Sequence, residues 1–297
     1  MKVGPGSAIA MPAPGFRGLK QVANLAQLYW SAGAPHSFAQ YTTRTMRINT
    51  KPPQDNSSDT NGSESWGFFD KVYCISLAER SDRREQAKRQ FAAVGLLARL
   101  EFVIVAKHPE NNEKGIFESH MLCLQKGLAA GGRHILIFED DVFFRNFDPS
   151  ALQATLGRLA KIDKWDGFFL GCITEGSRKT ATKSLVKIRY RCLAHAYAVN
   201  VSFAGRLIRQ QWNGIPFDEL LRRQHADFFA IYPMVAFQGL CGSDNQTVII
   251  ELLRNFFGGL PFIQRVNEWY QNHKTLFLAV HLTTLVALGV LTCKLWE

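Results

Sequence analysis

Short apolar runs alternate with amphipathic segments through the middle of the chain. The runs at 72–77 and 100–105 predict strands, and the segments at 81–94 and 117–129 predict helices. A third apolar run at 134–138 follows a pair of glycines and predicts a buried strand. Strand, helix, strand, helix, strand in this order is typical of parallel strand pairing. We therefore predict an α/β domain with a single, mostly parallel sheet.

The pattern continues with shorter elements beyond this unit. It predicts helices at 149–160 and 204–211 and a helical turn at 217–221, with strands at 165–171, 190–199 and 230–237. The folded body is predicted to span residues 66–272. Residues 1–65 and 273–297 flank it and differ from it in composition.

The leader, residues 1–65, is basic at its start and polar at its end. Residues 1–54 contain six Lys or Arg and no Asp or Glu, and residues 51–65 are too poor in apolar side chains to fold. An amphipathic pattern at 19–30 lies within this acid-free stretch. Such a leader resembles a mitochondrial transit peptide, and a disordered tail with one nascent helix is an equal alternative.

The C-terminal segment, residues 276–293, has no formally charged side chain and lies between Lys274 and Lys294. As a helix it would extend roughly 27 Å, close to the ~30 Å of a hydrocarbon core. Because it has no polar face, the pattern favours a membrane anchor, with a transmembrane span as one form. A buried or interfacial helix is the alternative, favoured by His281 and the threonines nearby.

Charge distribution and cysteine spacing argue against nucleic-acid binding and against a cysteine-based framework. The 297-residue chain has a net charge of +10, but six of its basic residues lie in the acid-free leader. There is no run of Lys or Arg interleaved with aromatic residues, which argues against nucleic-acid binding. The six cysteines form no C-x-x-C pair, so neither a zinc site nor a disulfide framework is indicated.

The candidate chemistry lies at the end of the third strand, where Glu139, Asp140 and Asp141 directly follow apolar residues. Three adjacent carboxylates repel one another unless a cation or hydrogen-bond donors neutralise them. A divalent cation such as Mn²⁺ or Mg²⁺ holding a diphosphate is the simplest ligand, and a solvated acidic loop is the alternative. Arg83, in the first turn of a predicted helix, opposes the helix dipole and suggests a bound anion.

Several blocks of the sequence resemble, in the same order, those of the glycosyltransferase family 25 enzymes. That family includes bacterial lipopolysaccharide galactosyltransferases and procollagen galactosyltransferases. The similar blocks are Ile75-Ser76-Leu77 with Ser81-Asp82-Arg83-Arg84-Glu85, Gly115 with Ser119-His120, Ile137-Phe138-Glu139-Asp140-Asp141, Trp165-Asp166 with Gly171, Ala196-Tyr197-Ala198-Val199, Ile215 to Leu221, and Ser243-Asp244. Together they cover roughly residues 70–250.

The resemblance implies a GT-A-like fold and transfer of a sugar, usually galactose, from a UDP-sugar to an acceptor hydroxyl with inversion. It places Glu139 at the nucleotide ribose and Asp141, with Asp140, at the Mn²⁺. Asp218 is the candidate general base, although a helix N-cap explains this residue almost as well. The remaining residues predicted to bind the donor are Arg83, Ser119 and His120.

The chain departs from the family pattern at three places. Ser76 replaces an Asn, Ile116 replaces a Cys, and the segment 106–114 is shorter than the corresponding loop and lacks its Asp. Loss of that loop bears on turnover and on substrate class. The leader and the C-terminal segment are not family features.

Two functions from different classes therefore remain open. The first is a membrane-attached glycosyltransferase that uses a UDP-sugar, Mn²⁺ and a glycan or protein acceptor. The second is a glycosyltransferase-like domain kept as a non-catalytic structural or accessory subunit of a mitochondrial membrane complex, and a binding module without turnover lies between them. The leader favours the mitochondrial inner membrane with the body on the matrix side, and a cytosol-facing endomembrane is the alternative.

Overall fold

A large mixed sheet runs through the part of the protein that the computed structural model describes, residues 64–239 and 259–296. The strands are β1 (Lys71–Leu77), β2 (Leu100–Val105), β3 (His134–Glu139), β4 (Val142–Phe144), β5 (Gly167–Phe169), β6 (Ile173–Lys179), β7 (Leu185–Cys192), β8 (Ala196–Asn200), β9 (Phe228–Ile231) and β10 (Ala236–Gln238). The helices are α1 (Ser81–Ala93), α2 (Asn112–Ala129), α3 (Pro149–Leu159), α4 (Val201–Leu207), α5 (Phe217–Arg222), α6 (Gly259–Asn272) and α7 (Lys274–Trp296). The predicted α/β class is confirmed. The leader lies almost entirely outside the described residues.

The strand order of the sheet is β2-β1-β3-β8-β5-β9-β7-β6, with β10 and β4 forming a separate two-stranded sheet. Three neighbouring pairs of the large sheet are parallel and four are antiparallel. The prediction of a mostly parallel sheet is therefore wrong. The short connection at 180–184 reverses the chain between β6 and β7, whereas a parallel neighbour needs a crossover of a dozen or more residues. In the large sheet, β7 and β8 run antiparallel to the other six strands.

The central strand β3 is buried on both faces, which explains its uninterrupted apolar sequence. Ile135 and Ile137 pack into the cluster under α2 and α4, and Leu136 and Phe138 pack into the cluster under α1 and α3. All four side chains are fully buried. Because side chains alternate across a strand, the same alternation separates Glu139 from Asp140 at its end.

Several predicted boundaries differ from the structure. Helix α2 begins at Asn112, five residues before the predicted start, because the Asn111 side chain accepts a hydrogen bond from Lys114 N and caps it. The predicted strand 190–199 is two strands, and Leu193 between them has a φ of 75°. The predicted strand 230–237 is also two strands, separated at Pro233. Local apolar pattern does not report such breaks.

The two C-terminal helices contact the body very differently. Helix α6 packs on β6 and β10 through polar side chains, including the fully buried Gln264, which donates to Ala236 O over 2.8 Å. Every residue of α7 from 278 to 288 is exposed. Among the residues that the structure describes, no helix is long and apolar enough to cross a membrane, so the predicted transmembrane span is not supported.

Candidate active site

The acidic residues predicted to bind metal and nucleotide lie at the carboxyl end of β3, between the parallel strand β1 and the antiparallel strand β8. The strand alternation sends successive side chains to different faces of the sheet. Glu139 contacts His120 of α2, whereas Asp140 contacts Arg83 of α1. The site therefore has two halves that share one strand end.

In the first half, the guanidinium of Arg83 lies between two buried carboxylates. Its Nη1 is 3.4 Å from Asp140 Oδ1 and its Nη2 is 3.6 Å from Asp141 Oδ2. Gln238 Nε2 also donates to Asp141 Oδ2, over 3.1 Å. Arg83 therefore has protein partners that the sequence did not reveal. Its predicted contact with a bound anion stays a prediction.

The other oxygens of these two carboxylates are unsatisfied. Asp140 Oδ2 and Asp141 Oδ1 are buried and have no hydrogen-bond partner within the described ranges. Burial, together with the charge of the neighbouring Glu139, raises the pKa of Asp141 to about 7. Burial also raises the pKa of Asp140, against the lowering effects of Ser76 and Arg83. Buried anionic oxygens without partners are costly, so this half favours a proton or an added cation.

In the second half, a chain of contacts leads from Glu139 into the core. Glu139 Oε1 is 3.4 Å from His120 Nε2, and His120 Nδ1 is 3.1 Å from the Tyr197 hydroxyl. The His120 ring stacks on Phe217 with centroids 4.1 Å apart. Only 1% of the His120 side chain is exposed, against 29% for Glu139, so Glu139 is the solvent-accessible end of this chain of contacts.

Both members of this contact favour their neutral forms. Burial raises the pKa of Glu139 to about 8, with Asp218 and Asp140 adding to the shift. Burial lowers the pKa of His120 to about 4, against the opposing effect of Asp218. At neutral pH, a protonated Glu139 therefore has a neutral imidazole as its nearest partner. In that state the contact joins two neutral groups and is not an ion pair.

Asp218 lies in the first turn of α5, but its carboxylate turns away from its own helix. Oδ2 accepts from Leu193 N over 3.0 Å, and Oδ1 accepts from Ala194 N over 3.1 Å and from the Tyr190 hydroxyl. Pro216 occupies the N-cap position, and no side chain caps α5. The N-cap explanation of Asp218 is therefore wrong. Asp218 instead holds the turn at 193–195, whose His195 carbonyl accepts from Glu139 N over 3.0 Å.

Sequence reasoning missed two residues of this site, Glu113 and His195. It also predicted that Ser119 binds the donor, whereas the Ser119 hydroxyl is engaged within its own helix. Glu113 lies beside Asp218, and burial together with that neighbour raises its pKa. It escaped notice because the segment 106–114 reads as a loop. His195 is fully buried beside the strand end, and burial lowers its pKa to about 4. Ser119 donates its hydroxyl to Gly115 O over 2.6 Å, so its proton is turned into α2.

The side chains present fit a metal ion held jointly by the protein and by substrate phosphates better than one enclosed by protein ligands alone. Within the described ranges, no group of three or more His, Cys, Asp or Glu side chains is arranged to hold a metal ion. Asp140 and Asp141 nevertheless each leave a buried oxygen without a partner. Mg²⁺ is usually held by one or two carboxylates together with substrate phosphates and water, which does not require a protein cage.

A cavity lined by described residues lies elsewhere. It has a volume of about 460 Å³ and is lined by Arg133, Trp165, Asp166 and Arg206 at the amino end of β3. Asp166 there is already satisfied, since it accepts from Arg206 and from Asp227 N. We place the candidate site at the acidic end, because the unsatisfied buried carboxylate oxygens are there.

No family model and no curated protein matches this chain. Among solved structures it is similar to A197 from STIV, with a TM-score of 0.40 and 12% identity over 57% of this chain and 85% of that chain. It is also similar to a mannose-1-phosphate geranyltransferase from Thermus thermophilus, with a TM-score of 0.37 and 9% identity over 54% of this chain and 73% of that chain. A third similar structure is a UDP-glucose pyrophosphorylase complexed with UDP-glucose, with a TM-score of 0.34 and 12% identity over 72% of this chain and 86% of that chain. At these TM-scores the likenesses carry no argument about this chain.

Proposed function

We propose that this protein is a metal-dependent glycosyltransferase that moves a sugar, galactose by resemblance, from a UDP-sugar to an acceptor hydroxyl with inversion. The observation that carries the proposal is the pair of buried, unpartnered oxygens on Asp140 and Asp141. They lie at the carboxyl end of a strand, where open α/β sheets bind ligands. The matching order of the sequence blocks supports the same assignment.

In this proposal, Asp140 and Asp141 would hold Mn²⁺ or Mg²⁺ through those open oxygens. The metal would offset the negative charge of a UDP leaving group. Arg83 already neutralises the opposite oxygens of the same carboxylates, so it fixes both side chains in place. Glu139, which remains partly exposed, would face the nucleotide ribose, with His120 behind it.

The acceptor hydroxyl needs a general base, and two neighbouring carboxylates are candidates. Asp218 matches the family block, but both of its carboxylate oxygens are already engaged, by three hydrogen bonds from the protein. Glu113 beside it has a raised pKa, which brings it closer to the range in which a base works at neutral pH. We assign the proton transfer to Glu113 and the support of the turn to Asp218.

A second candidate function is the non-catalytic subunit. The engagement of Asp218 and Arg83 with the protein itself favours it, because both have structural partners without any ligand. A mitochondrial inner-membrane location and contact with other subunits belong to this second proposal. A cytosol-facing endomembrane location fits the first.

Titration calorimetry with the full chain separates the two. The transferase should bind UDP with Mn²⁺ present and lose that binding with a chelator, and Asp141→Asn should abolish it. Asp163→Asn, which removes an exposed carboxylate from a loop, is the matched control and should bind normally. Equal heats with metal and with chelator, and no hydrolysis of UDP-galactose, would exclude the transferase.

A further inference from the structure

The helix α7 exposes apolar side chains on every side over most of its length. Leu278, Leu282, Leu285 and Val286 are exposed by 70%, 62%, 66% and 61%. Its ring contacts with other described residues lie in the first turns, where Phe277 packs against Trp269 and Tyr270 of α6. Contiguous exposed apolar surface of this kind marks an interaction site.

Three polar side chains in the middle of α7 bond to the backbone of the helix itself. Thr283 and Thr284 donate their hydroxyls to Ala279 O and Val280 O over 2.8 and 2.9 Å. His281 Nδ1 is 2.8 Å from Phe277 O. Internal bonds of this type lower the cost of taking hydroxyl and imidazole groups out of water. The helix is therefore suited to an apolar medium on all its faces.

A strongly basic hairpin lies beside the start of this helix. Strands β6 and β7 and their connection contain six Lys or Arg residues and one Glu. Arg178 is paired in register with Lys187 and Gly176 with Arg189, so these cations share one face. Val186, Ile188 and Tyr190 turn inward from the same strand. We call Arg178, Lys187, Arg189 and Arg191 the basic face.

The basic face and α7 meet at one backbone carbonyl. Lys274 Nζ, at the first residue of α7, donates to Glu175 O over 3.2 Å. Arg189 Nη2 donates to the same oxygen over 3.3 Å. Arg178 and Arg189 have no acidic partner among the described residues, whereas Lys187 is paired with Asp227 and Arg191 with Glu175. Uncompensated positive charge thus borders an apolar helix.

We propose that α7 and the basic face together bind an anionic lipid surface, with α7 against acyl chains and the basic face against headgroups. The charge complementarity of the adjoining face selects this partner, since lysine and arginine near an anionic leaflet each strengthen binding. A second copy of the chain fits less well. A pair of helices buries one seam and leaves the other apolar faces of α7 in water.

The test is co-sedimentation of the full chain with phosphatidylcholine vesicles, with and without phosphatidylglycerol. Binding should require phosphatidylglycerol and weaken with added salt. Arg178→Gln with Arg189→Gln should weaken it roughly thirty-fold, since each charge contributes a factor of about five. Leu278→Gln with Leu285→Gln should weaken it by about tenfold or more. All variants should melt like the wild type, because the four side chains are exposed.

The leader is also basic and could bind anionic vesicles by itself. The proposal is therefore tested by comparing matched variants, not by whether the wild type binds. Arg89→Gln with Lys107→Gln removes the same charge from α1 and from the loop after β2, at the opposite edge of the sheet, and should leave binding unchanged. Equal binding to neutral and anionic vesicles would overturn the proposal. So would an equal loss in both charge variants. A dimer in solution that dissociates in the leucine variant, without vesicle binding, would assign α7 to a second copy.

Discussion

Arg83 and Asp140, 57 residues apart in the chain, form a buried ion pair with 3.4 Å between Nη1 and Oδ1. The exposed fractions of the two side chains are 11% and 6%. The pair joins the first turn of α1 to the end of β3, so it sets the position of the acidic residues relative to the neighbouring helix. An arginine at this helix start opposes the helix dipole, and its carboxylate partners offset that cost.

Arg83→Gln should destabilise the protein by about 3–5 kcal/mol, because it leaves two buried carboxylates without their cation. Urea unfolding followed by circular dichroism measures the change. Adding Asp140→Asn to the variant should recover part of the loss. Arg89→Gln on the exposed side of α1 is the matched control, with an expected change within about 0.5 kcal/mol. Equal effects of Arg83→Gln and Arg89→Gln would show that the ion pair between Arg83 and Asp140 does not stabilise the fold.

Glu139→Gln should stabilise the metal-free protein at pH 8 relative to the wild type, with a smaller effect at pH 5. The folded-state pKa of Glu139 is raised from 4.5 to about 8. The stability that its proton provides is therefore complete below the unfolded pKa and is lost as pH rises through about 8. Glutamine cannot ionise, so the variant does not lose this stability as the pH rises. Thermal melts at the two pH values test this, with Glu118→Gln, an exposed residue of α2, as the control.

Asp218→Asn should cost about 1–3 kcal/mol in unfolding free energy, because the amide cannot accept all three hydrogen bonds of the carboxylate. Tyr190→Phe removes only one of them and should cost less. If Glu113 is the base, Glu113→Gln should spare stability but lower the transfer rate by a factor of roughly 10²–10⁴. The reverse result, with stability unchanged in Asp218→Asn and the rate lost, would return the base assignment to Asp218.

Gly171→Ala should be severely destabilising. A Cβ at this position would collide with the backbone carbonyl of Ala236 and would lie 2.6 Å from Gln264 Nε2. Gly157→Ala is the matched control, because a Cβ there meets no atom within 4 Å and the residue lies inside α3. It should stabilise the protein by about 0.5–1 kcal/mol. Melting temperatures that shift in the same direction would contradict the close approach at Gly171.

The local sequence determined the elements around the first three strands. The run 100–105 matches β2, the edge strand. The apolar residues 135–138 lie within β3, because a strand buried on both faces needs continuous apolar residues. The position of the acidic residues after β3 followed from the same pattern. The five described cysteines are free thiols, and Cys241 lies outside the described residues.

Only the tertiary structure decided which groups surround these acids. The sequence pattern cannot show that Arg83 reaches Asp140 and Asp141, or that Asp218 reaches back to residues 193 and 194. It also missed the reversal at 180–184, since strand direction depends on how the connections pack. Periodicity reports which face of an element is apolar, whereas ion pairs and turns between distant segments depend on where the sheet brings those segments together.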